Sequence, residues 1–315
     1  MVGLPEIQDA RRRIAPHVRR TPLMRGAALR NIPSGDLTLK LESLQVTGSF
    51  KARGATNKVL SLAPEEAEKG LVTASGGNHG LGVAYAGWLA KLPVTIFLPS
   101  NVPPAKVARF ESWGAKVVRE GSVWDEADRA ARERAGQEGL VYVHAFSDPA
   151  VVAGQGTIGL EILEDAPETR TVLVAIGGGG LISGVATAVK ALAPGIRPGI
   201  RVVGVEPVGA PTLYESVKAG SLVELERITT AANTLAPRKS AELNLRIIQE
   251  KVDEIVLVTD EEMKEAARWL WLELGVAAEL SGAASAAAWL SGKVRVGEGE
   301  SVCALICGAG TEGVG

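Results

Sequence analysis

The sequence predicts an α/β protein built on mainly parallel, twisted sheet with helices on both faces. Three observations predict it. Short apolar runs, often β-branched, alternate with longer helix-like stretches almost throughout. At 315 residues the chain exceeds one ordinary compact core, which fits two domains or one large α/β body. Three of the apolar runs end in unusual glycine-rich turns, and in such sheets chemistry sits where strand ends open onto helix N-termini.

In chain order, strands are expected at residues 37–41, 71–74, 94–98, 115–118, 140–143, 171–176, 202–206, 254–259 and 302–307. Helices are expected at 83–90, 105–113, 123–134, 181–192 and 261–274. Thr259 followed three residues later by Glu262 is a capping box that opens the last of these. The stretch 221–244 shows neither period, and Pro237 interrupts it. No internal repeat or low-complexity linker is present.

Composition excludes several classes. The chain is 46% hydrophobic and 22% charged with a net charge of −2, close to an average globular protein. Its charges are scattered, so neither nucleic acid nor an acidic membrane is an expected partner. Arg11, Arg12, Arg13, Arg19 and Arg20 interleave with Ile14, Pro16 and Val18 and lack aromatic stacking residues, which reads as a solvated helix face. No run approaches the roughly 20 apolar residues of a membrane span, and no leader pattern opens the sequence. Cys303 and Cys307, four apart in one strand-like run, cannot readily bridge and are too few for structural zinc. A reducing cytoplasm is the expected compartment. The scattered His17 and His144 suggest structural or surface roles rather than a metal cluster.

Gly177, Gly178, Gly179 and Gly180 join an apolar strand to an apolar helix that begins with Leu181. Their uncovered N–H groups, backed by the helix dipole, suit a phosphate. A merely flexible turn is a weaker explanation, because each ordered glycine costs roughly 1 kcal/mol without compensation. The spacing Gly178, Gly180, Gly184 is one residue too long for G-x-G-x-x-G, and no Gly-Lys-Ser/Thr follows. A lone phosphate on a small cofactor fits better than a nucleotide.

Lys51 lies in Thr47-Gly48-Ser49-Phe50-Lys51-Ala52-Arg53-Gly54-Ala55, an aromatic and a lysine at the mouth of a helix. By itself it reads as a surface lysine. A nucleophilic role requires its pKa to be lowered by burial or by a neighbouring cation such as Arg53.

Together, the segments Ser49–Ala55, Ser75-Gly76-Gly77-Asn78-His79-Gly80, Ala153-Gly154-Gln155-Gly156-Thr157 and the tetraglycine closely resemble the serine/threonine dehydratase and serine racemase branch of the β-family (fold type II) pyridoxal-phosphate enzymes. The resemblance covers nearly the whole chain. It implies pyridoxal 5′-phosphate as cofactor, with Lys51 as Schiff-base lysine and as the base that takes the Cα proton. It places Phe50 near the pyridine ring and Asn78 on the ring's 3′-oxygen. Gly177 to Gly180 and the Leu181 backbone would hold the phosphate. Ser75, Gly76, Asn78 and His79 would receive the substrate carboxylate. Glu279 in Ala-Glu-Leu-Ser-Gly-Ala matches a glutamate near the ring, and Cys307 falls where most members place a serine against the pyridine nitrogen. A neutral partner there weakens the electron sink and suits prompt loss of a β-hydroxyl. Read alone, Cys307 is a buried residue ending a strand.

The departures from the family pattern carry information too. Gly76 stands where serine racemase has a serine base, which argues against racemisation. Glu206 and Ala210 match the family's metal site but Thr212 replaces its aspartate, so no metal is expected. Asn233-Thr234 replaces an acidic turn, and with the sequence given to Gly315 the regulatory domain of biosynthetic relatives is not expected.

The resulting expectation is a homodimeric ammonia-lyase acting on a small amino acid, L-threonine or L-serine, to give a 2-oxo acid and ammonia. Its large domain would comprise residues 1–59 and 150–315, and 60–149 would form a smaller mobile domain. The alternatives are a racemase or another β-hydroxy amino acid lyase, a nucleotide-binding oxidoreductase, and an inactive binding module on the same scaffold.

Overall fold

The computed structural model describes residues 2–26, 35–196 and 199–314, apart from the side chains of 193–196. Helix α1 (Leu4–Ile14) and strand β1 (Leu23–Arg25) lead to β2 (Asp36–Leu41) and α2 (Lys51–Leu60). Next come α3 (Pro64–Ala67), β3 (Leu71–Ala74), α4 (Asn78–Ala90), β4 (Val94–Leu98), α5 (Pro104–Glu111), β5 (Lys116–Arg119), α6 (Trp124–Glu138) and β6 (Val141–Tyr142). The chain continues through α7 (Pro149–Asp165), β7 (Thr171–Ala175), α8 (Gly180–Ile196), β8 (Arg201–Pro207), α9 (Thr212–Ala219) and α10 (Glu242–Lys251). It ends with β9 (Glu254–Val258), α11 (Asp260–Leu274), α12 (Leu280–Leu290) and β10 (Ser301–Ile306).

The strands form two sheets. One runs β1-β2-β10-β7-β8-β9, the other β5-β4-β3-β6. Only β1, paired with β2, is antiparallel; every other described pairing is parallel. Strands β2, β7, β8 and β10 are buried along nearly their whole length, as expected where helices cover both faces. The largest apolar cluster packs Leu39, Val172, Val203, Val256, Leu305 and Trp289 together; the next packs Val83, Ile96, Leu98 and Phe110.

All nine expected strands form, within a residue or two, and β1 is an addition. The five expected helices also form, but several start earlier: α4 begins at Asn78 and α8 at Gly180. The capping box is present, with Glu262 N–H donating to Thr259 Oγ1 at 3.1 Å and Thr259 N–H to Glu262 Oε2 at 2.7 Å. Within the stretch read as irregular, a 3-10 turn at Asn233–Leu235 forms and α10 begins at Glu242.

Helices α7 and α12 gave no periodic signal, because residues on every side of them are buried and no polar stripe is needed. Helix α7 starts cleanly nonetheless. Asp148 accepts the Ala150 N–H at 2.8 Å, and Pro149 occupies the first turn. It then crosses α2 and α8 at near backbone contact. A Cβ on Gly154 would lie 2.6 Å from Gly54 Cα, and one on Gly184 2.3 Å from the Val152 oxygen. The segment 153–157 therefore works as a helix-crossing surface.

Candidate active site

Lys51 is placed by a backbone contact between distant segments. Thr47 (φ 67°) and Gly48 (φ 85°) reverse the chain before α2. Ser49 then bridges Gly308, Phe50 N–H donates to the Cys307 carbonyl at 3.2 Å, and Ala309 N–H donates to the Gly48 carbonyl at 2.8 Å. The lysine thus starts its helix beside the turn that follows β10. Its Nζ donates to the Ala145 carbonyl at 2.8 Å and lies 5.1 Å from the centre of the Phe50 ring. Burial pulls the amine down to about 8, against a weaker upward pull from Cys307 and Glu279.

Arg53 is not the cation that tunes it. Both guanidinium edges are engaged below the site, with Glu42 at 2.8 and 2.9 Å and Glu161 at 2.7 and 2.9 Å. Lys40 completes this buried group, 2.6 Å from Glu161. Two cations balance two anions there, and burial itself lowers the Lys51 pKa.

The tetraglycine follows β7, with Gly179 at φ 91° and α8 opening at Gly180. Its backbone is closely surrounded. A Cβ on Gly178 would meet the Phe146 ring at 2.2 Å, and one on Gly177 the Thr234 oxygen at 2.8 Å. The Gly178 carbonyl accepts Asn244 Nδ2 at 2.7 Å and Ser240 Oγ at 2.9 Å, which fixes the turn. The first N–H groups of α8, including that of the buried Leu181, have no partner within their own helix. Such a turn is a ready anion cradle.

The loop after β3 approaches from the other sheet. Asn78 Nδ2 donates to Glu279 Oε1 at 2.8 Å, joining residues 201 positions apart. The same oxygen accepts Ser281 Oγ at 2.6 Å and Thr234 Oγ1 at 3.4 Å. Burial raises the Glu279 pKa, opposed by the Ser281 and Asn78 hydrogen bonds. Cys307 Sγ donates to the Ser281 carbonyl at 3.4 Å; burial and nearby Glu279 push its pKa up, so it is a neutral thiol. Ser75 Oγ accepts the Gly77 N–H at 3.3 Å. The His79 ring bonds the Val143 carbonyl at 2.9 Å, and burial and Lys51 lower its pKa to about 3. His79 therefore has mainly its backbone to offer this loop.

Away from this centre, Glu206 accepts the Leu213 and Tyr214 N–H groups at 2.9 and 2.7 Å, and burial raises its pKa to about 8. Thr212 Oγ1 donates to the Pro237 carbonyl at 2.6 Å. No group of three or more His, Cys, Asp or Glu stands ready for a metal among the described residues. Asn244, Ser240, Ser281 and Phe146 were missed in the sequence, where no pattern marks a single Asn, Ser or Phe; Thr234 stood out there only as part of a changed turn.

A small cofactor with one phosphate and a carbonyl fits these residues. A Cβ on any of the four glycines would collide with Phe146, Thr234 or Leu213, so the turn forms only with bare backbone. The Lys51 amine, bonded to the Ala145 carbonyl, is the nucleophile a carbonyl carbon would meet. A neutral thiol and a buried carboxylate lie close by.

The family model described as "Pyridoxal-phosphate dependent enzyme" matches residues 14–308. L-threonine ammonia-lyase of Thermotoga maritima is 41% identical over 308 residues, 98% of this chain and 75% of that protein. The solved T.th. threonine deaminase superposes with a TM-score of 0.90 at 38% identity, covering 98% of both chains. Maize serine racemase superposes at 0.92 with 34% identity, covering 98% of this chain and 93% of its own. The nucleotide-binding alternative loses its support here. With Lys51, the glycine cradle and the neutral thiol brought together on this sheet, the chain belongs to the pyridoxal-phosphate dependent enzymes.

Proposed function

We propose that the protein is an ammonia-lyase that removes the β-hydroxyl and the amine from L-threonine or L-serine, giving a 2-oxo acid and ammonia. The observation that carries the reading is the meeting of Lys51, the glycine cradle and the Asn78–Glu279 pair around one point. Relatives named threonine ammonia-lyase and threonine deaminase support it.

When bound, pyridoxal phosphate supplies the electron withdrawal that acidifies the substrate Cα–H. The protein's residues do the rest. Backbone N–H groups of Gly177 to Leu181 would hold the phosphate, and Phe50 and Asn78 would hold the ring. Lys51 would hold the cofactor and, once its amine is free, with a pKa near 8, would take the Cα proton. The neutral Cys307 thiol would offer the ring nitrogen a partner without a full counter-charge. Ser75, Gly76, Asn78 and the His79 backbone receive the carboxylate. They belong to the unit at 60–149, which closes over the substrate while 1–59 and 150–315 hold the cofactor.

We read the chain as a homodimer in the cytoplasm that uses no nucleic acid and no metal. Two buried free thiols fit a reducing compartment. Borohydride reduction of the holoenzyme followed by peptide mapping tests the assignment of Lys51. An assay of 2-oxo acid release from β-hydroxy amino acids tests the reaction. Label on another lysine, or no release from any of them, overturns the reading.

A further inference from the structure

The segment 143–148, between β6 and α7, touches each part of the site, yet the chemistry above gives it no task. The Val143 carbonyl accepts His79 Nε2 and Thr73 Oγ1, both at 2.9 Å. The Ala145 carbonyl accepts Lys51 Nζ, and the Phe146 carbonyl accepts Asn244 Nδ2 at 3.1 Å. The Phe146 ring lies against the tetraglycine.

His144 shapes this turn. Its Nδ1 accepts the Phe146 N–H at 3.2 Å and the Ser147 N–H at 3.1 Å. Accepting both requires a lone pair on Nδ1, so the ring is neutral and carries its proton on Nε2. The Phe146 N–H and the Ala145 C=O belong to one peptide plane, and in a trans peptide they point in opposite directions. Drawing the N–H onto His144 therefore aims the carbonyl the other way, at Lys51.

We propose that His144 is a positioning residue that aims the Ala145 carbonyl at Lys51, giving the amine an acceptor whenever it is free of the cofactor and protonated. The inference rests on the reading of Lys51 as cofactor lysine and base. When Lys51 takes the Cα proton it becomes an ammonium, and one of its three N–H bonds is then donated to Ala145. In a buried setting an ammonium without an acceptor is strongly disfavoured. The turn thus keeps Lys51 basic enough to take the proton.

The titratable groups that face Lys51 are Glu279, Cys307, His79 and His144. Those that face His144 are Arg132, Asp128, Lys51, Asp148, His79 and Tyr142. Burial, then Arg132, lowers the His144 pKa to about 4, so the ring stays neutral through the working range.

The test reads Lys51 in the cofactor-free protein, by competitive acetylation with acetic anhydride across pH and mass spectrometry of the Lys51 peptide. His144→Leu removes the acceptor; His144→Asn keeps one, since an asparagine oxygen accepts the same two N–H groups in an Asx-type turn. Losing a hydrogen bond to the charged form lowers the pKa, so H144L should move the labelling midpoint down by about one unit. H144N should leave it within about 0.3 units of the parent. An H144L protein that keeps its melting temperature and the parent midpoint overturns the proposal.

A second measurement needs no variant. The chain has three histidines, so ¹⁵N spectra of histidine-labelled protein resolve each ring. Nδ1 of His144 should be unprotonated at pH 7. An Nδ1–H or doubly protonated ring overturns the proposal even if H144L does not fold. Borohydride mapping separates the two failures. Label away from Lys51 sinks the functional reading, whereas label on Lys51 with an unmoved midpoint sinks only the role of His144.

Discussion

At the scale of single residues, the site was legible where a residue type was improbable without its function. Four glycines in a row and a lysine after an aromatic stand out in the sequence, whereas Ser281 and Thr234 acquire meaning only through their shared bond to Glu279. Arg53 shows the opposite error. Its position two residues from Lys51 suggested a direct electrostatic effect, but its charge is consumed by Glu42 and Glu161. Cys307 offers a test of how the ring nitrogen is partnered. Cys307→Ser keeps a neutral group that can donate to the Ser281 carbonyl, so kcat/KM should survive within about tenfold, or about 1.4 kcal/mol of barrier. Cys307→Asp adds a second carboxyl near the buried Glu279, favours a protonated ring and should slow elimination, with a new long-wavelength band when substrate is added. Unchanged kinetics and spectra in both variants would remove Cys307 from the site. Gly76 offers a test between elimination and racemisation. With no side chain to serve as a second base, the parent should make far more pyruvate than D-serine from L-serine. A Cβ at Gly76 would lie 3.3 Å from Val102 Cγ2, a contact that a small side-chain shift relieves, so Gly76→Ser should fold. It should raise D-serine formation about a hundredfold, within the range a positioned base contributes. Chiral chromatography of the product measures it, and abundant D-serine from the parent would point to another base.

At the scale of elements, strands read well and buried helices did not. Strands β7 and β8 are short apolar runs bounded by turns, which leaves little choice. Helices α7 and α12 have residues buried on every side, so no periodic polar stripe marks them. Their glycines read as weak helix formers, yet these small residues let helices approach to backbone contact. The start of α2 is held by charge as well as by contact. Burial alone would raise the Glu42 pKa, but the charge and hydrogen bonds of Arg53 outweigh it and hold the carboxyl below the usual range. The fixed geometry of this group joins β2, α2 and α7. Arg53→Met should therefore destabilise the protein by about 3–5 kcal/mol, since it leaves the buried Glu42 without its cation. Arg53→Lys should not rescue it fully, because one ammonium cannot replace a fork that bonds two carboxylates. Urea unfolding of the three proteins checks this, and a loss below about 1 kcal/mol for R53M would show that the group is replaceable. The sign with pH follows from the depressed Glu42 pKa. Its contribution is full above the unfolded carboxyl pKa and is lost as pH falls through the lower folded value.

At the scale of the molecule, two sheets bring their strand ends to one place. The loops after β7 and β10 come from the six-stranded sheet, and the Ser75–Asn78 loop comes from the four-stranded one. Alternation of strands and helices made the sheets legible, and the glycine-rich turns marked the strand ends that gather at the candidate site. What the sequence did not reveal was how the two sheets meet, because Asn78 and Glu279, or Lys51 and Ala145, are brought together only by the finished fold. This division has a consequence for motion. Closing the unit at 60–149 should tighten the loop at 75–80, the segment at 98–104 whose Val102 faces Gly76, and the turn at 143–147. Strands β7 and β10 are already buried and have little protection left to gain. L-alanine has an amine and a carboxylate but no β-hydroxyl to lose, so it can occupy the site without elimination. Hydrogen exchange of the holoenzyme with saturating L-alanine should therefore slow in 75–80, 98–104 and 143–147, and stay level in β7 and β10. Protection confined to 177–183 and 307–310 would mean that the ligand binds against a rigid body and that the smaller unit does not close.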